Sequence, residues 1–395
     1  MPDTALLAVV LAAIAGILAG RAWAGALRSR ELRDRPAFRT SVHYTEGLHD
    51  LASGQLELAI TELTKVTREH PQAVEVMLVL SDLLREAGQV ERAIQMHQAL
   101  LARGDLTRAE RVQAMASMGT DFRKAGFLDR AARTYDETLQ ADPGNIHALI
   151  GQQKLHEEQR HWRDAYEIQT RLARLRKSDD SLVLGYLQAE MGLEAARRGQ
   201  REGAESAFRT ALALDRRVFP AHIGLADLHL GPDPRRAAAI LEDAVQIVPE
   251  RAYLAFDRLE RAYDASGEPS RFVDLCERII RRDARDWRAR LALARHLRAQ
   301  GKNEEALGLL LRAVEANPQV LLTHLEVWRT LRALAVTSEE QERYLKVAEE
   351  SVFYADPHIC TVCRYRTDDV LWRCPHCHDW NTIVEERLGP IAGAR

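Results

Sequence analysis

The chain has 395 residues, more than the roughly 250–300 at which a single hydrophobic core stops growing. Charged residues make up 29% and hydrophobic residues 46%, a balance that excludes a disordered chain. Fifty-five basic and 58 acidic residues give a net charge of −3, which excludes a global positive charge for nucleic-acid binding. The length therefore requires several domains or an array of repeats.

An uncharged apolar stretch opens the chain at residues 4–20. As a helix it is about 26 Å long, close to the roughly 30 Å hydrocarbon core of a bilayer. A cleaved signal peptide needs a positive region first, but only Asp3 and the amino terminus precede the stretch. We predict an uncleaved transmembrane anchor over residues 1–24, with a signal peptide and a buried soluble helix as the alternatives.

A basic juxtamembrane segment follows at residues 25–40. Between residues 21 and 39, six arginines face only two acidic residues. By the positive-inside rule, this excess predicts a periplasmic amino terminus and a cytoplasmic location for the rest of the chain.

One pattern recurs through residues 41–335: a loop residue, usually Gly, with Ala five positions later. Three of the intervals between copies are 34 residues, and a proline often follows twelve positions after the alanine. The copies are Gly54/Ala59, Gly88/Ala93, Gly126/Ala131, Gly199/Ala204 and Gly301/Ala306, with degenerate forms at Arg160/Ala165, Gly231/Ala237 and Gly267/Phe272 and prolines at Pro71, Pro143, Pro249 and Pro318.

Two packed helices joined by a tight turn explain this spacing. Gly ends the first helix in the left-handed conformation, and the small Ala lets the second helix approach the first. A larger side chain one turn later, such as Tyr135 or Phe208, shares that face. This spacing is the tetratricopeptide signature, which predicts an all-α, right-handed superhelical solenoid with a groove for peptides. A generic scaffold with an empty groove is the alternative.

We find no sequence pattern for catalysis. Cys276 falls at the core position four residues after Phe272, so we expect a buried thiol there and not a nucleophile. The fourteen histidines form no Ser/His/Asp or Cys/His set with catalytic spacing. We therefore predict a non-enzymatic protein without catalytic or organic-cofactor residues, and we expect most histidines to be solvated or to line the groove.

The repeats lead into a connecting helix, predicted over residues 336–355 and opened by a capping box of Thr337 and Glu340. A small metal-binding module is predicted next, over residues 356–389. Its four predicted ligands follow a C-x2-C, ten-residue, C-x2-C spacing, at Cys360, Cys363, Cys374 and Cys377.

Each C-x2-C turn, called a knuckle below, places two thiolates on one side of a tight turn. Two knuckles together supply a tetrahedral set of four thiolates. A set of four protein ligands leaves no open position for a substrate, which argues against Lewis-acid catalysis. A module of this size requires folding energy from its metal, and four thiolates suit either zinc or iron. We interpret His358, His376 and His378 as bystanders. We expect Trp372, Trp380, Tyr365 and Ile383 to form a small apolar cluster and part of a docking face.

The tail carries a family resemblance. Leu371, Trp372, Cys374, Pro375, Cys377, Trp380, Thr382 and Ile383 resemble the ending of the lipopolysaccharide assembly protein B family. The anchor, repeats and module together are similar to that family's architecture over essentially the whole chain. One residue departs from the family pattern, because Arg364 stands where a glycine usually follows the first knuckle.

The resemblance implies a single-pass inner-membrane adaptor of Gram-negative bacteria that faces the cytoplasm. Such adaptors restrain lipopolysaccharide synthesis by promoting degradation of the lipid A deacetylase LpxC through the membrane protease FtsH. Other lipopolysaccharide assembly proteins are further implied partners. The resemblance also implies a rubredoxin-like module that packs against the repeats, with iron as the first choice of metal and zinc as the second.

Three other functions remain open from the sequence. A rubredoxin-like electron carrier on a scaffold requires reversible iron chemistry, and a general peptide-binding co-chaperone requires only the repeats. A nucleic-acid-binding zinc ribbon is disfavoured, because the three arginines of residues 360–380 are balanced by three aspartates. We therefore expect no nucleic-acid partner.

Overall fold

The computed structural model describes residues 37–318, 320–335 and 358–385. In this part of the chain the fold is a succession of α-helices followed by a small β-sheet, which confirms the all-α class of the repeat region. The predicted anchor 1–24, the connecting helix 336–355 and its capping box lie outside the described residues. Among the helices that are described, none has both the length and the apolar character needed to cross a membrane.

The chain divides into two compact units, one that ends at Gln159 and one that begins at Arg160. The first unit contains α1 (Val42–Ala52), α2 (Leu56–Glu69), α3 (Val74–Glu86), α4 (Val90–Leu101), α5 (Arg108–Lys124), α6 (Leu128–Ala141) and α7 (Ile146–Glu158), after a short 3-10 turn at Ala37–Thr40. Its helices pack as the successive antiparallel pairs α1/α2, α3/α4 and α5/α6.

The second unit continues the helical pattern and adds the carboxyl-terminal module. Its helices are α8 (Trp162–Arg176), α9 (Ser181–Arg197), α10 (Arg201–Leu214), α11 (Phe219–His229), α12 (Pro234–Ile247), α13 (Phe256–Ala265), α14 (Ser270–Arg282), α15 (Trp287–Ala299), α16 (Asn303–Ala316) and α17 (Leu321–Ala333). A 3-10 helix, Pro249–Ala255, lies between α12 and α13, so Pro249 ends one helix and opens the next turn.

The predicted core positions of the repeats are confirmed, and so are the predicted turn positions except Gly231. Six of the seven turn glycines have φ between +72° and +79°, and Arg160 takes the same position with φ +59°. Gly231 is the exception, because α12 is started there by the Asp233 side chain, which accepts a hydrogen bond from the N–H of Arg236 at 3.1 Å. The core residues of the copies are buried: Ala59, Ala93, Ala131, Ala165, Ala204, Ala237, Phe272 and Ala306.

A feature that the repeat spacing does not predict is a pair of glycines around two of the large aromatic side chains, Phe208 and Tyr135. The Phe208 ring of α10 lies between Gly192 on α9 and Gly224 on α11, where an added Cβ would be 2.6 Å and 2.3 Å from ring carbons. In the first unit Tyr135 sits in the same way against Gly119 and Gly151. Both glycines lie sixteen positions from the aromatic residue, a spacing that could have been found in the sequence.

The expectation concerned most of the histidines, and a minority departs from it, because five of the fourteen are buried. His97, His222, His229, His296 and His358 are buried. The Nδ1 atom of His97 lies 2.6 Å from a carboxylate oxygen of Asp121, so a buried polar partner replaces water there. Cys276 is fully buried as predicted, and burial raises the pKa of its thiol, as expected of a core side chain.

Candidate metal centre

The carboxyl-terminal module is a three-stranded antiparallel sheet with two loops that carry the cysteines. Its strands are β1 (His358–Cys360), β2 (Arg366–Thr367) and β3 (Ile383–Glu385), in the order β2-β1-β3. In the register of β1 and β3, Cys360 lies opposite Ile383. Strands of two or three residues bury too little surface to be stable alone, so the loops need a further constraint.

The four predicted cysteines converge between these loops. Their sulfur atoms all lie within 4.8 Å of one another. The Sγ atoms of Cys360 and Cys377 are 3.7 Å apart, and those of Cys363 and Cys374 are 3.6 Å apart. A tetrahedron with metal–sulfur bonds of about 2.3 Å has edges of about 3.8 Å. The sulfur spacing therefore fits a tetrahedral ion such as zinc or iron.

The two knuckles have the same backbone geometry. Arg364 and His378, which each follow the second cysteine of a knuckle, both have φ +63°. The N–H of Arg364 donates to the carbonyl of Cys360, and that of His378 donates to the carbonyl of Cys374, each at 3.0 Å. Glycine adopts this left-handed conformation without the steric cost that a Cβ imposes. Arg364 keeps the turn, at a conformational cost of about 1 kcal/mol.

The protonation of the thiols depends on their surroundings. Burial raises the pKa of Cys363 and of Cys377, and neighbouring thiols raise both further. Burial also acts on Cys360, but hydrogen bonds with the Thr382 hydroxyl and from the N–H groups of Cys363 and Val362 outweigh it and lower that pKa to about 6. Four thiols this close cannot all ionise without a cation between them, so a bound metal ion displaces their protons.

Two tryptophans of the module dock on helices of the same unit. The Trp380 ring stacks on Tyr186 of α9 with centroids 5.4 Å apart, and it meets Trp162 of α8 edge-on at 6.4 Å. The Trp372 ring stacks on Phe219 of α11 at 6.1 Å. The predicted docking role of Trp372 and Trp380 is confirmed.

The other two residues of the predicted apolar cluster behave differently from one another. Ile383 is buried and packs against the cysteines, as predicted. Tyr365 is 38% exposed and stacks on His376, with the two rings inclined by 11°, so its predicted place in the cluster is wrong. The tyrosine lies on the knuckle loop, where its ring covers the imidazole instead of the core.

Two arginines hold the docked module through polar contacts. An Nη atom of Arg251 donates to the Asn381 side-chain oxygen at 3.0 Å and to the Ile383 carbonyl at 3.1 Å, while the guanidinium lies over the Trp372 ring at 5.0 Å. Arg288 of α15 forms an ion pair with Glu385 at the end of β3. The sequence does not predict the role of these arginines, because their partners lie about a hundred residues or more away along the chain.

Comparisons with known proteins agree with this architecture. A profile described as a rubredoxin metal binding domain matches residues 358–385, and tetratricopeptide repeat profiles match residues 50–117 and 261–320. Lipopolysaccharide assembly protein B of Escherichia coli K12 is 24% identical over 362 residues, which cover 91% of this chain and 93% of that protein. The resemblance to the lipopolysaccharide assembly protein B family is confirmed.

The Haemophilus influenzae lipopolysaccharide assembly protein B is 25% identical over 389 residues, 93% of this chain and 95% of that protein. Similarity to lipopolysaccharide assembly protein B therefore spans both the repeats and the four-cysteine module. Together with the converged thiols, the profile match supports a four-cysteine metal site of rubredoxin type. Zinc and iron both accept four thiolates in a tetrahedron, so iron as first choice remains a prediction.

Proposed function

We propose that the protein is a non-enzymatic adaptor in lipopolysaccharide assembly, held at the inner membrane by residues 1–24 and facing the cytoplasm from there on. The observation that carries this proposal is the similarity to lipopolysaccharide assembly protein B across 91% of the chain, which includes the docked metal module. A repeat array joined to such a module has binding surfaces but no open coordination position for a substrate.

In its specific form, the proposal is that the adaptor promotes FtsH-dependent degradation of LpxC and coordinates other lipopolysaccharide assembly proteins. The resemblance of the tail residues to the family supports this form. The anchor confines the adaptor to the plane in which a membrane protease works, which raises the effective concentration of their encounter.

The docked module supplies a rigid part of the binding surface in this proposal. A bound metal ion cross-links the two knuckles and contributes folding energy to them. Trp372 and Trp380 fix the module against the helices. Arg251 and Arg288 hold β3 in place. Because the ligand loops and the docking tryptophans share one short stretch, loss of the metal ion is expected to disorder the docking face as well.

The decisive experiment is the half-life of LpxC in living cells, measured after translation is stopped, with and without this protein. We expect depletion to lengthen the half-life, and the wild-type chain to restore it. The double variant Cys374→Ser/Cys377→Ser should fail to restore it, whereas Val362→Ala, which changes an exposed side chain in the same module, should succeed. An LpxC half-life that is the same with and without the protein would contradict the LpxC proposal.

The same assay, with iron replaced by zinc, separates the adaptor from a redox carrier. An adaptor requires only that the metal keeps the module folded, so replacement of iron by zinc should leave LpxC turnover intact. An electron carrier loses all function with zinc, because zinc has no redox chemistry.

A further inference from the structure

The helix α15 presents arginines on the face that carries the metal module. Arg288, in its first turn, binds the carboxylate of Glu385. Arg295 lies seven residues later, which is two turns along the same face and about 10 Å away. Arg298 follows within one further turn. The face thus continues past the module with guanidinium groups.

Arg295 and Arg298, together with Arg329 of α17, surround a single buried carboxylate on α17. The Nε and Nη2 atoms of Arg295 lie 3.1 Å and 2.9 Å from one oxygen of Glu326. Arg298 reaches the other oxygen at 2.7 Å, and Arg329 reaches the first at 3.1 Å. The Glu326 side chain is 2% exposed, whereas those of Arg295, Arg298 and Arg329 are 45%, 27% and 41% exposed.

The electrostatics of the cluster keep the central carboxylate charged. Burial favours the neutral form of Glu326, but the three arginines outweigh burial and lower its pKa, so the carboxylate stays ionised. Arg295 and Arg298 of α15 then face the two oxygens of one ionised carboxylate. A buried carboxylate that holds partly exposed guanidiniums orients their remaining N–H donors, which form forks suited to carboxylates.

An extended acidic peptide fits this surface. The nearest example is within the molecule, where β3 brings Glu385 to Arg288 on an extended backbone. The distance of about 10 Å from Arg288 to Arg295 corresponds to about three residues of extended chain. Repeat proteins commonly bind extended segments on the surfaces formed by their stacked helix pairs.

We propose that Arg295 and Arg298, positioned by Glu326 and flanked by Arg329, bind the carboxylates of an acidic peptide segment beside the metal module. The inference rests on the proposed adaptor function, and it identifies where that adaptor holds an acidic stretch of a partner protein. Binding depends on the guanidinium forks and is weakened by salt, as expected of charge-assisted hydrogen bonds at a partly exposed site.

The test is the binding of fluorescein-labelled hexaglutamate to the full chain in a non-ionic detergent, followed by fluorescence anisotropy. Arg295→Gln is expected to weaken binding about tenfold, the effect of losing one charge-assisted contact. The matched control is Arg282→Gln, the same change at an exposed arginine at the end of α14, and it should change the dissociation constant less than twofold. Equal weakening by both variants, or no binding by the wild-type chain, overturns the proposal.

Two further measurements test whether a folding defect or a lipid ligand accounts for the result. Arg295→Gln leaves Glu326 with Arg298 and Arg329, so its thermal unfolding should match that of the wild type. If it does not, Arg295→Lys provides the test, because it keeps the charge without the fork and should still lose affinity several-fold. Sedimentation with phosphatidylglycerol vesicles covers a lipid ligand: vesicle binding that needs Arg295, without hexaglutamate binding, overturns the peptide proposal.

The hexaglutamate test can fail or succeed independently of the test of the adaptor function. Hexaglutamate binding requires no LpxC and no protease, so it can succeed where the half-life of LpxC does not change. In that case the adaptor function in LpxC turnover fails and the acidic-peptide site stands. A changed half-life without hexaglutamate binding gives the opposite result.

Discussion

The packing of Phe208 between two glycines predicts a large effect from a single methyl group. In Gly224→Ala, the new Cβ would lie 2.3 Å, 2.6 Å and 2.8 Å from three carbons of the ring, well inside the 3.5–4.0 Å of an optimal carbon–carbon contact. The ring cannot retreat, because it is fully buried and Gly192 is packed against its other side. Either the ring or helix α11 must therefore move by about 1 Å.

The magnitude follows from two opposing effects. Overpacking of this kind costs up to about 3 kcal/mol, and the higher helix propensity of alanine returns about 1 kcal/mol. We expect a net loss of about 2 kcal/mol in the free energy of unfolding. For a unit of this size, that loss lowers Tm by about 4–8 °C.

The assay is thermal unfolding followed by circular dichroism at 222 nm, with two companion variants. Gly308→Ala, on α16, is the matched control: nothing lies within 4 Å of the new Cβ, so it should gain up to about 1 kcal/mol. Phe208→Leu should couple to Gly224→Ala, so that the double variant loses less than the sum of the two single losses. A Gly224→Ala protein as stable as the wild type, or strict additivity with Phe208→Leu, would refute the packing argument.

Three further predictions concern the metal module. Arg364→Gly removes the steric cost of the left-handed conformation and should stabilise the first knuckle by about 1 kcal/mol. We expect metal loss to a chelator to become about fivefold slower. An unchanged rate would contradict the argument that Arg364 is strained. Trp380→Ala removes the stack on Tyr186 and should release the module while its metal is retained, so that amide exchange in β3 rises sharply; unaltered exchange shows that the stack is dispensable. Cys374→Ser/Cys377→Ser should unfold the module but leave most of the helical circular dichroism signal, whereas global loss of helix would show that the repeats depend on the module.

The repeat fold was predictable because its signals are local. The left-handed glycines and the buried alanines recur at a near-constant interval, and each acts within one helix pair. The exception at Gly231 is also local, since Asp233 and Pro234 supply a different helix start. The glycines around Phe208 and Tyr135 were missed because they belong to two successive pairs and matter only once those pairs stack.

The convergence of the four cysteines was predictable for a similar reason, since two C-x2-C turns specify their own geometry. The contacts that hold the module against the helices were not predictable from the sequence. Arg251 and Asn381 are 130 residues apart, and no periodic pattern connects them. The burial of Glu326 is not predictable either, because in the sequence it resembles any polar residue of an amphipathic helix. The prediction that Tyr365 belongs to the apolar cluster is wrong because aromatic character alone does not imply burial. Its ring instead stacks on the His376 imidazole on the loop.

The docking of the module also bears on the order in which the protein matures. Helices α9 and α11 leave the ribosome well before residues 358–385, so Tyr186 and Phe219 remain uncovered during synthesis of the intervening chain. Only after both knuckles have been made and have taken up metal can the tryptophans close over those rings. A chain interrupted before residue 358, or one made in metal-starved cells, would keep its repeats but display bare aromatic rings. The finished surface is therefore expected to form only in chains whose translation and metallation are both complete.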